Sequence, residues 1–138
     1  MFLTIIKPHL AQQLPDKNVV LTFDDGPSDR NGNTTRLLKV LAKHQVKAVF
    51  CMIGKQCEKH PGLVCEIVGQ GHVLANHSHS HRPYHLWDIK ELERDIERFE
   101  ASVRLALDDM DFRCEYFRPP YGILIPGIRR MVARRGLG

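Results

Sequence analysis

The sequence predicts an α/β fold with a parallel sheet. Short apolar, β-rich runs alternate with stretches of helical periodicity, and four such strand-then-helix units follow in series. Parallel neighbours need a crossover, and the intervening helices supply it. A chain of 138 residues with 43% hydrophobic and 26% charged content is long enough for one domain with its own core.

Residues 1–17 read as an irregular lead-in, which puts the domain at 18–138. Residues 19–23 form a short apolar run that stops at Asp24, Asp25, Gly26 and Pro27, as a buried strand feeding a loop would. Residues 34–45 carry Leu37, Leu38 and Leu41 at helical spacing, and residues 46–53 read as a second strand ending at Gly54. Pro61, followed by Leu63, Val64, Ile67 and Val68, opens a helix that stops at Gly69 or Gly71. Residues 72–75 are a third short strand that runs into a histidine cluster.

The next helix has the best-marked start. Asp88 can cap it, Glu91 three residues on completes a capping box, and Trp87 with Leu92 suits a hydrophobic staple. Ile89, Leu92, Ile96, Phe99, Val103 and Leu107 make its buried stripe. Residues 116–118 read as a fourth strand closed by Pro119 and Pro120, and Pro126 opens a final helix.

Composition excludes several classes. Lys plus Arg total 20 against 16 for Asp plus Glu, a net charge of +4 that needs no polyanionic partner. The basic group Arg129, Arg130, Arg134 and Arg135 alternates with Ile128, Met131 and Val132 as the solvated face of a helix does, and no aromatic residues interleave with it, so no nucleic-acid partner is expected. The four cysteines form no CxxC pair, and Cys51 and Cys65 fall in apolar or helical runs, so neither a zinc ribbon nor disulfides are expected. The apolar run at residues 2–6 is too short for a signal-peptide core, and no stretch reaches the roughly 20 apolar residues of a membrane span. A cytoplasmic location is the resulting expectation.

Three polar clusters remain: Asp24 with Asp25, residues 77–81, and residues 118–122. Each lies just after an expected strand, on the edge where α/β folds assemble their sites. Singly, each has an ordinary reading. Asp-Asp-Gly-Pro is turn composition, His77 and His81 are two of 8 histidines, and Arg-Pro-Pro-Tyr-Gly is a stiff extended segment. Their shared edge is what points to a site. A catalytic zinc centre takes three protein ligands from His, Asp and Glu and leaves one position open, and His77, His81 and one aspartate meet that count. Adjacent side chains at a strand end diverge, so one aspartate can hold the cation while the other acts as general base on water. The residues alone do not say which is which.

The runs Thr22-Phe23-Asp24-Asp25-Gly26-Pro27, His77-Ser78-His79-Ser80-His81 and Arg118-Pro119-Pro120-Tyr121-Gly122 resemble, in order, the first three motifs of NodB-like polysaccharide deacetylases, the family 4 carbohydrate esterases. The stretch 48–71, with Gly54, Lys59, His60, Pro61 and Gly71, is similar to the family's segment between its first and second motifs, and the likeness runs over residues 19–137. The resemblance implies a distorted (β/α) barrel. It also implies metal-dependent removal of N-acetyl groups from N-acetylglucosamine-containing poly- or oligosaccharides, with release of acetate and with zinc as the divalent metal. By the same resemblance Asp24 is the general base, and Asp25, His77 and His81 hold the metal. Arg118 orients Asp24, and the Tyr121 backbone N–H helps hold the oxyanion. Ser78 braces the loop, Pro119, Pro120 and Gly122 support the third motif, and His79 is not a ligand.

The family's two further motifs, an aspartate-tryptophan segment and a leucine-x-histidine segment whose histidine protonates the leaving amine, do not occur here. Trp87 is the only tryptophan and no histidine follows His85. The expectation is therefore a C-terminally shortened, incomplete barrel whose open edges a partner or self-association would cover. The alternative expectation is an inactive remnant that keeps metal and sugar binding.

Overall fold

A computed structural model describes residues 19–83, 89–123 and 126–138. The expected lead-in over residues 1–17 and the expected roles of Trp87 and Asp88 lie outside these residues. Three strands, β1 (Thr22–Gly26), β2 (Val49–Met52) and β3 (Val73–Asn76), pair in parallel in the order β1-β2-β3. Among the described residues five α-helices accompany them: α1 (Asn33–Lys43), α2 (Gly54–Lys59), α3 (Pro61–Gly69), α4 (Ile89–Leu107) and α5 (Pro126–Arg134). The α/β class and its crossovers agree with the sequence.

Three expectations need correction. The first strand lies further along the chain than residues 19–23, because Val19 and Val20 are exposed and pairing with β2 begins at Thr22 and continues through Gly26. Both aspartates thus sit within the strand rather than beyond it. Second, α2 occupies the stretch between Gly54 and Pro61, to which the sequence reading assigns no element. One and a half turns are too short to show periodicity, yet the helix buries Cys57. Third, residues 116–118 make one parallel bridge, Asn76 to Phe117, instead of a full strand. Asn76 N donates to Tyr116 O at 2.8 Å and Arg118 N to Asn76 O at 2.9 Å. Pro119 and Pro120, which have no N–H, end the ladder there.

The core forms between the sheet and α4. Phe50 and Met52 of β2, Leu74 of β3, Leu38 of α1, and Val64 and Ile67 of α3 meet Leu92, Ile96, Phe99 and Val103 of α4. Burying each such side chain fully contributes about 1.5–3 kcal/mol. The α4 stripe follows its expected periodicity except at Ile89, which is 44% exposed. In α5, Ile128, Met131 and Val132 turn inward and the arginines outward, with Arg135 paired to Glu97 of α4. Cys65, expected to behave as a small hydrophobe, is exposed. Among the described residues no helix is long and apolar enough to cross a membrane.

Candidate metal and active site

The site begins with a defect in β1. Register passes from Asp24 opposite Cys51 directly to Gly26 opposite Met52, so Asp25 is the extra residue of a bulge and sits at φ 68°. A bulge re-aims one side chain against its neighbours. Here it sends two consecutive carboxylates to different partners. Asp24 Oδ1 accepts a hydrogen bond from Arg118 Nη1 at 2.7 Å. Asp25 Oδ1 lies 3.1 Å from His81 Nε2 and 3.5 Å from His77 Nε2.

The two histidines come from a non-helical loop that leaves β3. Ser78 and His81 both have positive φ, 69° and 56°, a conformation disfavoured for residues other than glycine. Local bonds hold it. Ser78 N donates to Asn76 Oδ1 at 2.8 Å, and His81 N donates to Ser78 Oγ at 2.7 Å. Gly54 N and Lys55 N, at the start of α2, donate to Ser78 O and His79 O at 3.0 and 3.1 Å.

Arg118 ties the third cluster to the other two. Its guanidinium bonds Asp24 and, at 3.0 Å, Thr22 Oγ1, while its carbonyl oxygen accepts from His77 Nδ1 at 2.7 Å. That bond fixes the proton on Nδ1 and turns the Nε2 lone pair toward Asp25. Burial lowers the His77 pKa, with a backbone hydrogen bond and Asp24 opposing, so the ring is held neutral as a metal ligand requires. Beyond Arg118 the chain turns through Pro120–Gly122, where Pro120 is buried and Tyr121 and Gly122 have φ of 60° and 68°. The exposed Tyr121 ring stacks on His81 at 5.0 Å, tilted by 53°. Burial, the largest influence on it, raises the Cys51 thiol pKa far above neutrality, so Cys51 stays protonated and is no competing ligand.

One donor atom each from Asp25, His77 and His81 lies within 4.8 Å of the other two. Two imidazole nitrogens and a carboxylate oxygen at this spacing fit a divalent cation, with room for a further ligand. The Asp24 carboxylate, 39% exposed, stands beside them held by Arg118.

Part of the support escaped the sequence reading. Asp95 of α4 is 5% exposed and its Oδ2 accepts from His79 N at 2.8 Å and Ser80 N at 3.3 Å. His79 is buried, and its Nε2 is 2.9 Å from Glu58 Oε1, which also accepts from Ser102 Oγ at 2.8 Å. Those two bonds, Ser102 included, hold the Glu58 carboxyl below its usual range. A signal was present, since Asp95 and Ser102 fall among Leu92, Ile96, Phe99 and Val103 on the apolar stripe, where a polar residue needs a partner.

Residues 11–137 match the sequence profile of the family described as polysaccharide deacetylase. The chain belongs to the polysaccharide deacetylase family. Within this family it is 35% identical over 120 residues to a chitooligosaccharide deacetylase of Sinorhizobium fredii, covering 87% of this chain and 54% of that protein. It is 37% identical over 108 residues to a peptidoglycan-N-acetylglucosamine deacetylase of Bacillus cereus, covering 78% of this chain and 37% of that protein. Its fold superposes with a TM-score of 0.78 on a family 4 carbohydrate esterase from Streptomyces lividans in complex with acetate, at 32% identity, covering 88% of this chain and 60% of that one. The chain thus spans between 37% and 60% of the length of these three proteins.

Proposed function

We propose that this chain carries the metal-binding and general-base half of an N-deacetylase acting on N-acetylglucosamine-containing oligo- or polysaccharide, on the framework of a (β/α) barrel. The observation that supports this is the convergence of Asp25, His77 and His81 beside an Asp24 carboxylate oriented by Arg118. In this reading Asp25, His77 and His81 hold the cation, zinc being favoured by two imidazoles and a single carboxylate. Bound there, it supplies Lewis acidity toward the acetamide carbonyl and toward water.

The chain's own groups divide the remaining work. Asp24 takes a proton from the attacking water, and Arg118 keeps that carboxylate aimed through its hydrogen bond. The Tyr121 backbone N–H donates to the oxygen on which charge develops, and the turn built from Pro119, Pro120 and Gly122 fixes its direction. Ser78 holds the two histidines in register through its bond to His81 N. Bond cleavage releases acetate and leaves a free amine on the sugar.

A second reading has one observation in its favour. Residues 86–138 contain no histidine, so an imidazole that gives the leaving amine its proton is not among them. These residues would then bind metal and sugar without turnover. Zinc titration calorimetry run beside acetate release from chito-oligosaccharide separates the two, since binding without acetate selects the second. Asp25→Ala, His77→Ala and His81→Ala are expected to abolish zinc binding, whereas Asp24→Asn keeps zinc and loses any turnover. Full zinc affinity in the two histidine variants would overturn the metal assignment.

A further inference from the structure

Glu58 ties the histidine loop to two helices at once. It lies on α2 one turn after Gly54 and Lys55, whose N–H groups bond the loop carbonyls of Ser78 and His79. Its Oε1 is 2.9 Å from His79 Nε2, so one face of α2 grips both the backbone and the ring of the loop's central residue. The same oxygen accepts from Ser102 Oγ of α4 at 2.8 Å. Ser102 is buried, and its Oγ also stands 2.8 Å from Arg98 O, which seats the hydroxyl on α4. The other ring nitrogen of His79, Nδ1, is buried with no hydrogen-bond partner among the described residues. Glu58 is therefore the sole hydrogen-bond partner of that imidazole there.

We propose that Glu58 is a positioning residue for the metal centre, acting through His79 to keep His77 and His81 at ligating distance, with Ser102 bracing its carboxylate. The proposal rests on the metal-site reading above and adds to it two residues that lie outside the cluster of Asp25, His77 and His81. A buried ring deprived of its last polar partner is driven out of its place. His79 cannot move alone, because Ser78 N bonds Asn76 Oδ1 and Ser78 Oγ accepts from His81 N, which cross-links the loop internally. His77 and His81 stand two residues to either side of it, so their imidazoles shift with the loop. What the role requires of Glu58 is an acceptor oxygen at that point, which a glutamine also supplies and an alanine does not. The Glu58 side chain is itself half-exposed, so its replacement opens no cavity in the core.

The test titrates the whole chain with cobalt(II), whose visible absorption reports the geometry of its ligands, in wild type, Glu58→Ala, Glu58→Gln and Ser102→Ala. Glu58→Ala is expected to lower cobalt affinity about 10- to 100-fold, as loss of a group that orients ligands does, and to alter the absorption of the saturated site. Glu58→Gln should bring both back toward wild type, and Ser102→Ala should fall between. Tm of the same samples separates positioning from packing. A Glu58→Ala protein with lowered Tm but wild-type affinity and absorption overturns the proposal, as does a Glu58→Gln protein no better than Glu58→Ala, and Ser102→Ala at wild-type affinity overturns the bracing role. If the wild type binds no cobalt(II), the metal reading fails, and hydrogen exchange at the His79 and His81 N–H groups decides whether Glu58 holds the loop. Exchange that is faster in Glu58→Ala and restored in Glu58→Gln sustains that, and any other pattern overturns it.

Discussion

Gly54→Ala replaces one hydrogen by a methyl at the place where α2 touches the histidine loop. A Cβ built on Gly54 stands 2.6 Å from His79 Cδ2, 3.1 Å from Cγ and 3.0 Å from the backbone Cα. Ordinary carbon contacts need about 3.5 Å, so the loop must retreat by roughly 1 Å. His79 cannot swing aside, being 1% exposed with its N–H on Asp95 and its ring on Glu58. Overpacking of this kind costs about 1–3 kcal/mol, and the Gly-to-Ala gain in helix propensity is smaller at a first helical position. Unfolding entropy near 2.1 cal/mol/K per residue converts that cost into a fall in Tm of about 3–10 °C for a chain this size. Thermal unfolding followed by circular dichroism reads the fall. Cobalt(II) or zinc titration should show weakened metal affinity, because the displaced residue lies between His77 and His81. Gly62→Ala in α3 is the control, with nothing within 4 Å of its Cβ, and it is expected to hold or raise Tm. A Gly54→Ala protein with unchanged Tm and unchanged metal affinity would refute the idea that this contact positions the loop.

Asp95→Asn removes the charge that two loop N–H groups share, and is expected to weaken metal affinity about 10- to 100-fold, as loss of a group that orients ligands does; affinity matching wild type would rule out that anchoring. Phe99→Ala empties a fully buried site on α4 and should cost about 3–5 kcal/mol in chemical denaturation, a smaller loss meaning that the core closes over the gap. Burial lowers the pKa of His72, with Lys47 adding to it, so below the unfolded imidazole value of about 6.5 the unfolded chain binds more protons than the folded one. Metal-free protein should therefore lose stability as pH falls through that value, by an amount that shrinks in His72→Gln; a urea midpoint independent of pH between 8 and 5 would contradict this. Arg118→Lys keeps one positive charge but cannot bond Asp24, Thr22 and the backbone framework with the same planar fork. It is expected to spare zinc binding by Asp25 and the histidines while lowering any acetate release, and a variant with unaltered release would remove Arg118 from its orienting role.

Much of the framework was legible because it is written in periodicity. Leu92, Ile96, Phe99 and Val103 specify α4 and its inner face, Pro61 and Pro126 mark helix starts, and the apolar runs before Gly54 and Asn76 mark β2 and β3. The residues of the candidate site were legible for a different reason, namely that three polar clusters, each ordinary singly, fall on one expected sheet edge and follow the order of the family's motifs. What could not be read was anything set by contacts between distant segments. The Asp25 bulge exists because β1 pairs past an extra residue with β2, and no local pattern distinguishes that from a turn. The single bridge at Phe117 in place of a strand reflects hydrogen bonds available on β3 on one side and prolines on the other.

By itself, then, the sequence determined the α/β class, the helices with strong periodicity, and the set of polar residues gathered on one sheet edge, because side-chain pattern and residue chemistry are local properties. Which aspartate faces the histidines and which faces Arg118 was implied by the family resemblance and not by the residues themselves, and the tertiary structure supplies the physical reason, one left-handed residue within a strand pair. It also decided that His79 is held by Glu58 and Asp95 behind the loop, 21 and 16 residues away in sequence. Those pairings arise from packing α2 and α4 against β3, and packing is a property of the assembled chain.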